Sequence, residues 1–235
     1  HDSSNVSYPR FLSYRNDIKI NNLIHENIKY SGGFSLTGSK ISSNSFLGLP
    51  SKIEYIKNGE KKFSIVSKLY ELEDSLFITS HATATLYIGF DSIYHPSVRV
   101  RYEGPKDEIV VYKDDGTASE TPFYESFFNM NMKIGKINWN LEKDSIITLS
   151  TMGARREVNA LFESIDHFDS LDFKYMSGNF RFNPLMLVHN YASKYGDYFT
   201  ADDLAEKYKL ATSAVRASMG HLARYNFVKY SARSE

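Results

Sequence analysis

The stretch Ile53–Val66, IEYIKNGEKKFSIV, sets the fold class of this chain. Ile53 to Lys57 is one β-prone arm, Lys62 to Val66 is the other, and Asn58-Gly59 lies between them. An Asn-Gly pair accepts positive φ at both central positions of a tight turn whose twist matches the strands it joins. The stretch therefore reads as an antiparallel hairpin.

Similar signals extend in both directions. Ile18, Ile20 and Leu23 precede Ile28 and Tyr30, and Phe34 and Leu36 follow Gly32-Gly33. Ser42–Ser45 reads as a polar loop. Leu76–Thr79 and Thr83–Ile88 read as two further runs. Ser97–Tyr102 alternates, with Val98, Val100 and Tyr102 on one face and Arg99 and Arg101 on the other. Gly104-Pro105 turns into a strand at Glu108–Tyr112, and Asp114-Asp115-Gly116 turns again. Met130, Met132 and Ile134, then Ile137, Trp139 and Leu141, keep a period of two around a slip at Gly135-Lys136, read as a bulge or bend. Ile146–Leu149 follows. Short strands at this spacing, with no helix-length run between them, predict an antiparallel sandwich, barrel or solenoid-like domain.

The pattern changes near residue 154. Val158, Leu161, Phe162, Ile165 and Phe168 fall at helical spacing and predict a short helix near 156–168. Gly178-Asn179 reads as a hinge, dividing the chain into a β-rich domain, 1–178, and a smaller C-terminal module, 179–235. In that module Asn183 suits an N-cap with Pro184 in the first turn. Leu185, Val188, Ala192 and Tyr195 recur at helical spacing, and Gly196 is a stop. Tyr198-Phe199 reads as a two-residue strand. Thr200 with Asp203 makes a capping-box pair before a helix facing inward through Leu204, Ala205 and Tyr208. Thr212 is expected to cap a third helix with Val215, Met219 and Leu222 inside; Asn226 ends it and Phe227-Val228 opens a strand.

The Leu204-Ala205 pair, Leu210 in the turn, Val215 and Leu222, and Asn226-Phe227-Val228 resemble the winged helix-turn-helix family over about residues 183–230. The resemblance implies that the third helix presents Ser213, Arg216, Ala217, Gly220, His221 and Arg224 to a partner, a DNA major groove in the family's best-known use. Charge argues for a different partner. From Asn183 to Glu235 there are seven Lys/Arg against five acids, too weak an excess to neutralise several phosphates. A protein-interaction or packing role for the module is therefore favoured over nucleic acid.

Composition narrows the chemistry. Across 235 residues, 28 basic and 28 acidic groups cancel, so no global field draws the chain to polyanions. The absence of cysteine excludes disulfides, thiolate catalysis and Cys-based zinc sites. No apolar run approaches the roughly 20 residues that span a bilayer as a helix. The first residues, HDSSNVSYPR, lack both a signal-peptide plan and a starting Met, so an excised piece of a longer protein is expected. None of the seven histidines forms H-x-H or H-E-x-x-H, and no P-loop, Rossmann glycine pattern or G-x-S-x-G occurs. Gly32-Gly33 to Gly38-Ser39-Lys40 reads as hairpin turns rather than a phosphate loop.

Glu163, Asp166, Asp169 and Asp172 read as a solvated acidic helix face, and Arg155-Arg156 as part of the boundary of that helix. Glu120, Glu125 and Asp144 are the carboxylates that a glycosidase-like cleft would pair, and Tyr87, Tyr94, Tyr102, Tyr112 and Trp139 the aromatics a sugar face would use, although core packing accounts better for most of them. Asp91-Ser92-Ile93-Tyr94-His95-Pro96, Pro122-Phe123-Tyr124, Phe162-Glu163-Ser164 and Asn183-Pro184-Leu185 are similar to segments of very large bacterial proteins of the cell-envelope type. That resemblance leans toward the envelope over the cytoplasm. The expectation is a non-enzymatic structural or interaction piece of a larger protein, with no catalytic, cofactor or metal residues, partnered by another protein or by another domain of the same chain. A DNA-binding regulator and a carbohydrate-binding or glycosidase-like domain are the alternatives.

Overall fold

A computed structural model describes residues 9–113, 121–143, 145–149, 160–165, 180, 182–225 and 227–228. Strands dominate, and every pairing between named strands is antiparallel. In chain order they are β1 (Arg10–Leu12), β2 (Ile18–Asn21), β3 (Ile28–Gly32), β4 (Ser35–Thr37), β5 (Lys40–Ser42), β6 (Ser51–Lys57), β7 (Glu60–Ser67), β8 (Tyr70–Leu72), β9 (Leu76–Ile88), β10 (Asp91–Glu103), β11 (Glu108–Tyr112), β12 (Phe123–Glu125), β13 (Met130–Lys133), β14 (Lys136–Asn140), β15 (Ser145–Leu149) and β16 (Leu161–Ser164).

The β9–β10 hairpin is the spine. The second half of β9 continues through β7, β6 and β3 to β2, and its first half through β8, β5 and β4 to β1. The first half of β10 continues through β12 and β13 to β16, and its second half through β11 and β14 to β15. The sheet is thus open and branched into two wings, with the branch point where the hairpin is irregular. His81 takes a positive φ of 54°, which inserts an extra residue into β9 between the partners of Val98 and Val100. Opposite it, β10 carries its own extra residue between His95 and Val98, where Pro96 sits without a ladder hydrogen bond to donate. The two runs expected at Leu76–Thr79 and Thr83–Ile88 are therefore one bent strand.

Rings from one wing meet rings from the other. Tyr30 lies 6.5 Å from Tyr70, Phe63 lies 6.5 Å from Phe77, and Tyr55 lies 6.1 Å from Tyr102. Among the described residues the eight largest fully buried side chains are aromatic, and each contributes about 1.5–3 kcal/mol by leaving water. The tyrosine hydroxyls do not go unpaired: Tyr70 donates to the Ile65 carbonyl at 2.7 Å and Tyr30 to the Gly33 carbonyl. The alternation across Ser97–Tyr102 holds, with Val98, Val100 and Tyr102 buried and Arg101 exposed. The Asn58-Gly59 turn also holds, with φ of 53° and 82° between β6 and β7.

Several local expectations are corrected. Ser42–Ser45 is not a solvated loop: Ser42 ends β5, and Ser43 and Ser45 are buried. Their burial follows from Gly32 and Gly33. A Cβ at Gly32 would lie 2.0 Å from Ser51 Oγ, and one at Gly33 would lie 2.4 Å from Ser45 Cβ. Gly32-Gly33 is thus a point of close approach, whereas the turn between β4 and β5 is at Gly38-Ser39. The slip at Gly135-Lys136 is a break between two strands, since β13 pairs β12 and β16 while β14 pairs β11 and β15. Leu161–Ser164 is a strand and not helix, because β13 offers it an open edge with Met132 opposite Phe162. Ile165 follows that strand as a turn, its N–H donating to the Asn129 carbonyl at 3.1 Å. Val158 and Phe168, the acids Asp166, Asp169 and Asp172, Arg155-Arg156, the hinge at Gly178-Asn179, the turn at Asp114-Asp115-Gly116 and Asn226 lie outside the described residues.

Among the described residues three helices follow: α1 (Pro184–Tyr195), α2 (Ala201–Tyr208) and α3 (Thr212–Arg224). Asn183 caps α1 by accepting from the Met186 N–H at 3.2 Å, and Thr200 and Asp203 close a reciprocal capping box on α2. Ala211, not Thr212, occupies the N-cap of α3, with no side-chain hydrogen bond. Leu187, Leu204, Ala205, Val215, Met219 and Leu222 form a core of their own, joined by Leu210, Tyr191, Tyr208 and Val228. Tyr195, expected inside, is exposed; Leu187 and Tyr191 take that role on α1. Among the described residues Tyr198-Phe199 and Phe227-Val228 lie in no strand; the Phe227 N–H donates to the Leu222 carbonyl at 2.9 Å. Among the described residues no helix is long and apolar enough to cross a membrane.

Candidate interaction surfaces

The residues proposed on the third helix divide into two groups. Ser213, Arg216, Ala217 and Arg224 are exposed on α3, whereas Gly220 is buried and His221 is half-buried. His221 packs its ring 5.8 Å from Phe180 and 5.2 Å from Tyr225. Arg216 reaches back to Asp202 at the start of α2, 3.3 Å away, so its charge is partly neutralised within the protein. Ser213 and Ala217 are exposed between Arg216, which is paired with Asp202, and Arg224, whose guanidinium lies 6.0 Å from the Tyr225 ring centroid.

A second surface was not singled out in the sequence. The β9–β10 hairpin turns at Gly89-Phe90, and the β12–β13 connection carries Phe127-Phe128. Their neighbouring backbones are locked together. The Ser126 N–H donates to the Ser92 carbonyl at 3.0 Å, the Ser92 N–H donates to Ser126 Oγ at 2.9 Å, and Ser126 Oγ donates to Asp91 Oδ1 at 3.0 Å. Glu125 turns both carboxylate oxygens onto the loop, accepting from the Phe127 and Phe128 N–H groups at 2.5 and 2.9 Å. The polar groups are thus occupied internally and the rings point out. Phe90 is 109% exposed, Phe127 and Phe128 are each 66% exposed, and Ile88 is 46% exposed. Apolar groups gathered in this way are a recognised mark of a contact site. The sequence signal was only Phe-Phe between short strands, which alternation assigns to a core.

The charged and polar clusters inside the β region are architectural. Glu125 is committed to its loop, and Glu120 and Asp144 lie outside the described residues. Of the aromatics considered for a sugar face, Tyr102 and Trp139 are core residues, while Tyr87, Tyr94 and Tyr112 are half-buried. Asp107 sits at φ 44° after a 3-10 turn, Gly104–Lys106. Its carboxylate accepts from the Tyr55 hydroxyl at 2.7 Å and from the Tyr102 hydroxyl at 3.0 Å, with Lys57 Nζ at 3.8 Å. Burial and this carboxylate push both phenols above their ordinary range, so they stay protonated as donors.

His95 is equally fixed. Its ring is fully buried, 4.6 Å from Phe123. Nδ1 accepts from the Ser97 N–H at 3.1 Å and Nε2 lies 2.8 Å from the Thr121 carbonyl, which makes it the Nε2–H tautomer. Burial first, and Lys113 second, push its pKa down to about 3. The histidine serves the bulge, satisfying a strand N–H that the irregular ladder leaves over.

A third surface lies on the helices. Tyr191, Phe199 and Tyr208 pack together, with Tyr191 4.7 Å from Tyr195. Lys194 and Lys207 place their ammonium groups 5.5 and 5.1 Å from the Tyr195 ring centroid. The following loop carries Tyr198, 99% exposed. A scan against protein-family models, and searches of curated proteins and of solved structures, each find no match.

Proposed function

We propose that the chain is a non-enzymatic interaction module of a larger assembly, partnered by another protein or by a further domain of its own chain. The aromatic tip carries this reading. Three phenylalanines on the turns, and Ile88 at the end of β9, stand outside the core beside backbone and carboxylate groups that are already hydrogen-bonded, so the rings have little freedom to fold inward. Such a patch gains free energy when covered, at about 25 cal/mol for each Å² of apolar surface removed from water. The helical region is a second contact or packing element, through Ser213, Arg216, Ala217 and Arg224 on α3. The polar clusters at Asp107 and His95 support the same reading, because their hydrogen-bonding capacity is spent on the fold.

The test uses the protein in its native cell with a benzophenone side chain in place of Phe128, and a control probe at exposed Lys29 on β3. The expected result is a discrete polypeptide adduct from position 128, absent from position 29, that disappears when Phe90→Ser is added. Adducts to lipid or glycan alone, or a polypeptide adduct indifferent to Phe90→Ser, overturn the reading.

A further inference from the structure

We infer that the helical region carries a docking site for a carboxylate-bearing protein segment, centred on Lys194, Tyr195 and Lys207. Two ammonium groups converge on one exposed tyrosine, 5.5 and 5.1 Å from its ring centroid. Elsewhere lysines meet acids within the chain: Lys61 with Glu54 at 2.6 Å, Lys106 with Glu103 at 2.5 Å and Lys133 with Glu163 at 2.7 Å. Among the described residues no carboxylate lies within 4.0 Å of Lys194 or Lys207. Two of the acids on the same helix as Lys207 are engaged elsewhere, Asp203 with Thr200 and Asp202 with Arg216, while Glu206 and Asp197 are exposed and make no ion pair with either lysine. The Tyr195 phenol is held below its ordinary range, chiefly by hydrogen bonding to Lys207, which is what an oxygen facing concentrated positive charge undergoes. A carboxylate entering this corner would meet two cations and a hydroxyl donor, a charge-assisted arrangement stronger than neutral hydrogen bonds.

The surroundings specify a protein. Tyr195, Tyr198 and half-buried Tyr191 supply aromatic surface, a residue type enriched at protein contacts. The flanking segments carry both signs, in Lys209, Asp197 and Glu206, all exposed. A single-stranded nucleic acid requires a continuous positive track and free ring faces for stacking. Here the acids interrupt the track, the lysines lie over Tyr195, and neighbouring rings cover Tyr191.

The experiment titrates the isotope-labelled full chain with an acetylated octaglutamate peptide and follows backbone amide shifts, with octalysine and the oligonucleotide dT8 as controls. Saturable shifts at Tyr191–Tyr198 and Leu204–Tyr208 are expected, weakening as salt is added. Lys194→Ala and Lys207→Ala should each reduce affinity about 2- to 5-fold. Tyr195→Ala should reduce it roughly 10-fold or more, with Tyr195→Phe in between. All three side chains are exposed, so an unchanged spectrum outside the site shows that the variants fold. Absence of saturable shifts, shifts that survive the double lysine substitution, or tighter binding of dT8 overturns the proposal. This site is separate from the aromatic tip, and its failure leaves the cross-linking test intact.

Discussion

Lowering the pH should destabilise this protein through His95 before most carboxylates titrate. Its pKa falls from an ordinary 6.5 to about 3 on folding, through burial and then Lys113. Between those values the unfolded chain binds a proton that the folded chain excludes. Unfolding free energy therefore rises with pH across that window; the stabilisation is complete above about pH 6.5 and is lost as pH falls toward 3. At 1.36 kcal/mol per pH unit the full window bounds the effect at about 5 kcal/mol, and the step from pH 7 to 4 at about 3 kcal/mol. His95→Gln isolates it. Glutamine can still donate to the Thr121 carbonyl but does not titrate; leaving the Ser97 N–H without its acceptor costs about 1–3 kcal/mol at every pH. Urea unfolding of both proteins at half-unit steps from pH 7 to 4 gives the difference, in which shared carboxylate effects cancel. The wild-type advantage should shrink steadily below pH 6.5. A difference that stays flat to pH 4 would refute the buried neutral histidine.

Three further outcomes are expected. Asp107→Ala strands the Tyr55 and Tyr102 hydroxyls and should lower the unfolding free energy by about 2–5 kcal/mol, read from the urea midpoint; Asp107→Asn, which tolerates positive φ and still offers an oxygen, should cost less. Gly33→Ala drives a methyl against Ser45 Cβ, 2.4 Å away, and should cost more than about 2 kcal/mol or abolish folding, whereas serine-to-alanine changes on exposed loops should not. Thr200→Ala removes one half of the α2 capping box and should cost about 1 kcal/mol, visible as faster amide exchange at Asp203 and Leu204 before any change in the β region.

What could be read from the sequence was whatever local stereochemistry dictates. Asn58-Gly59 announces its turn because positive φ is a property of those residues, and Val98, Val100 and Tyr102 announce a buried face because a strand has a period of two. Asn183 and Thr200 cap their helices for equally local reasons. The misses depend on distant partners. Leu161–Ser164 has helical spacing but joins an open edge supplied by β13, and the serines after Ile41 look solvated until Gly32-Gly33 brings Ser51 onto them. His81 resembles a break between two strands, because nothing local shows that β10 bulges opposite it. The aromatic tip was missed for a related reason: a phenylalanine reads as core unless one knows that Glu125 and Ser126 have fixed its turn facing outward.

The shared spine has a consequence for how the chain reaches this state. Each half of β9 and β10 serves a different wing, so neither wing has a complete layer until that one hairpin exists. Its strands are adjacent in sequence and close a short loop, a microsecond event, whereas the rows built outward from it must wait. β9–β10 is therefore the natural nucleus. The same dependence binds the wings in loss as in gain: opening one exposes the aromatic face of the other, so unfolding should be all-or-none, without a half-open sheet whose free strand edges could template aggregation.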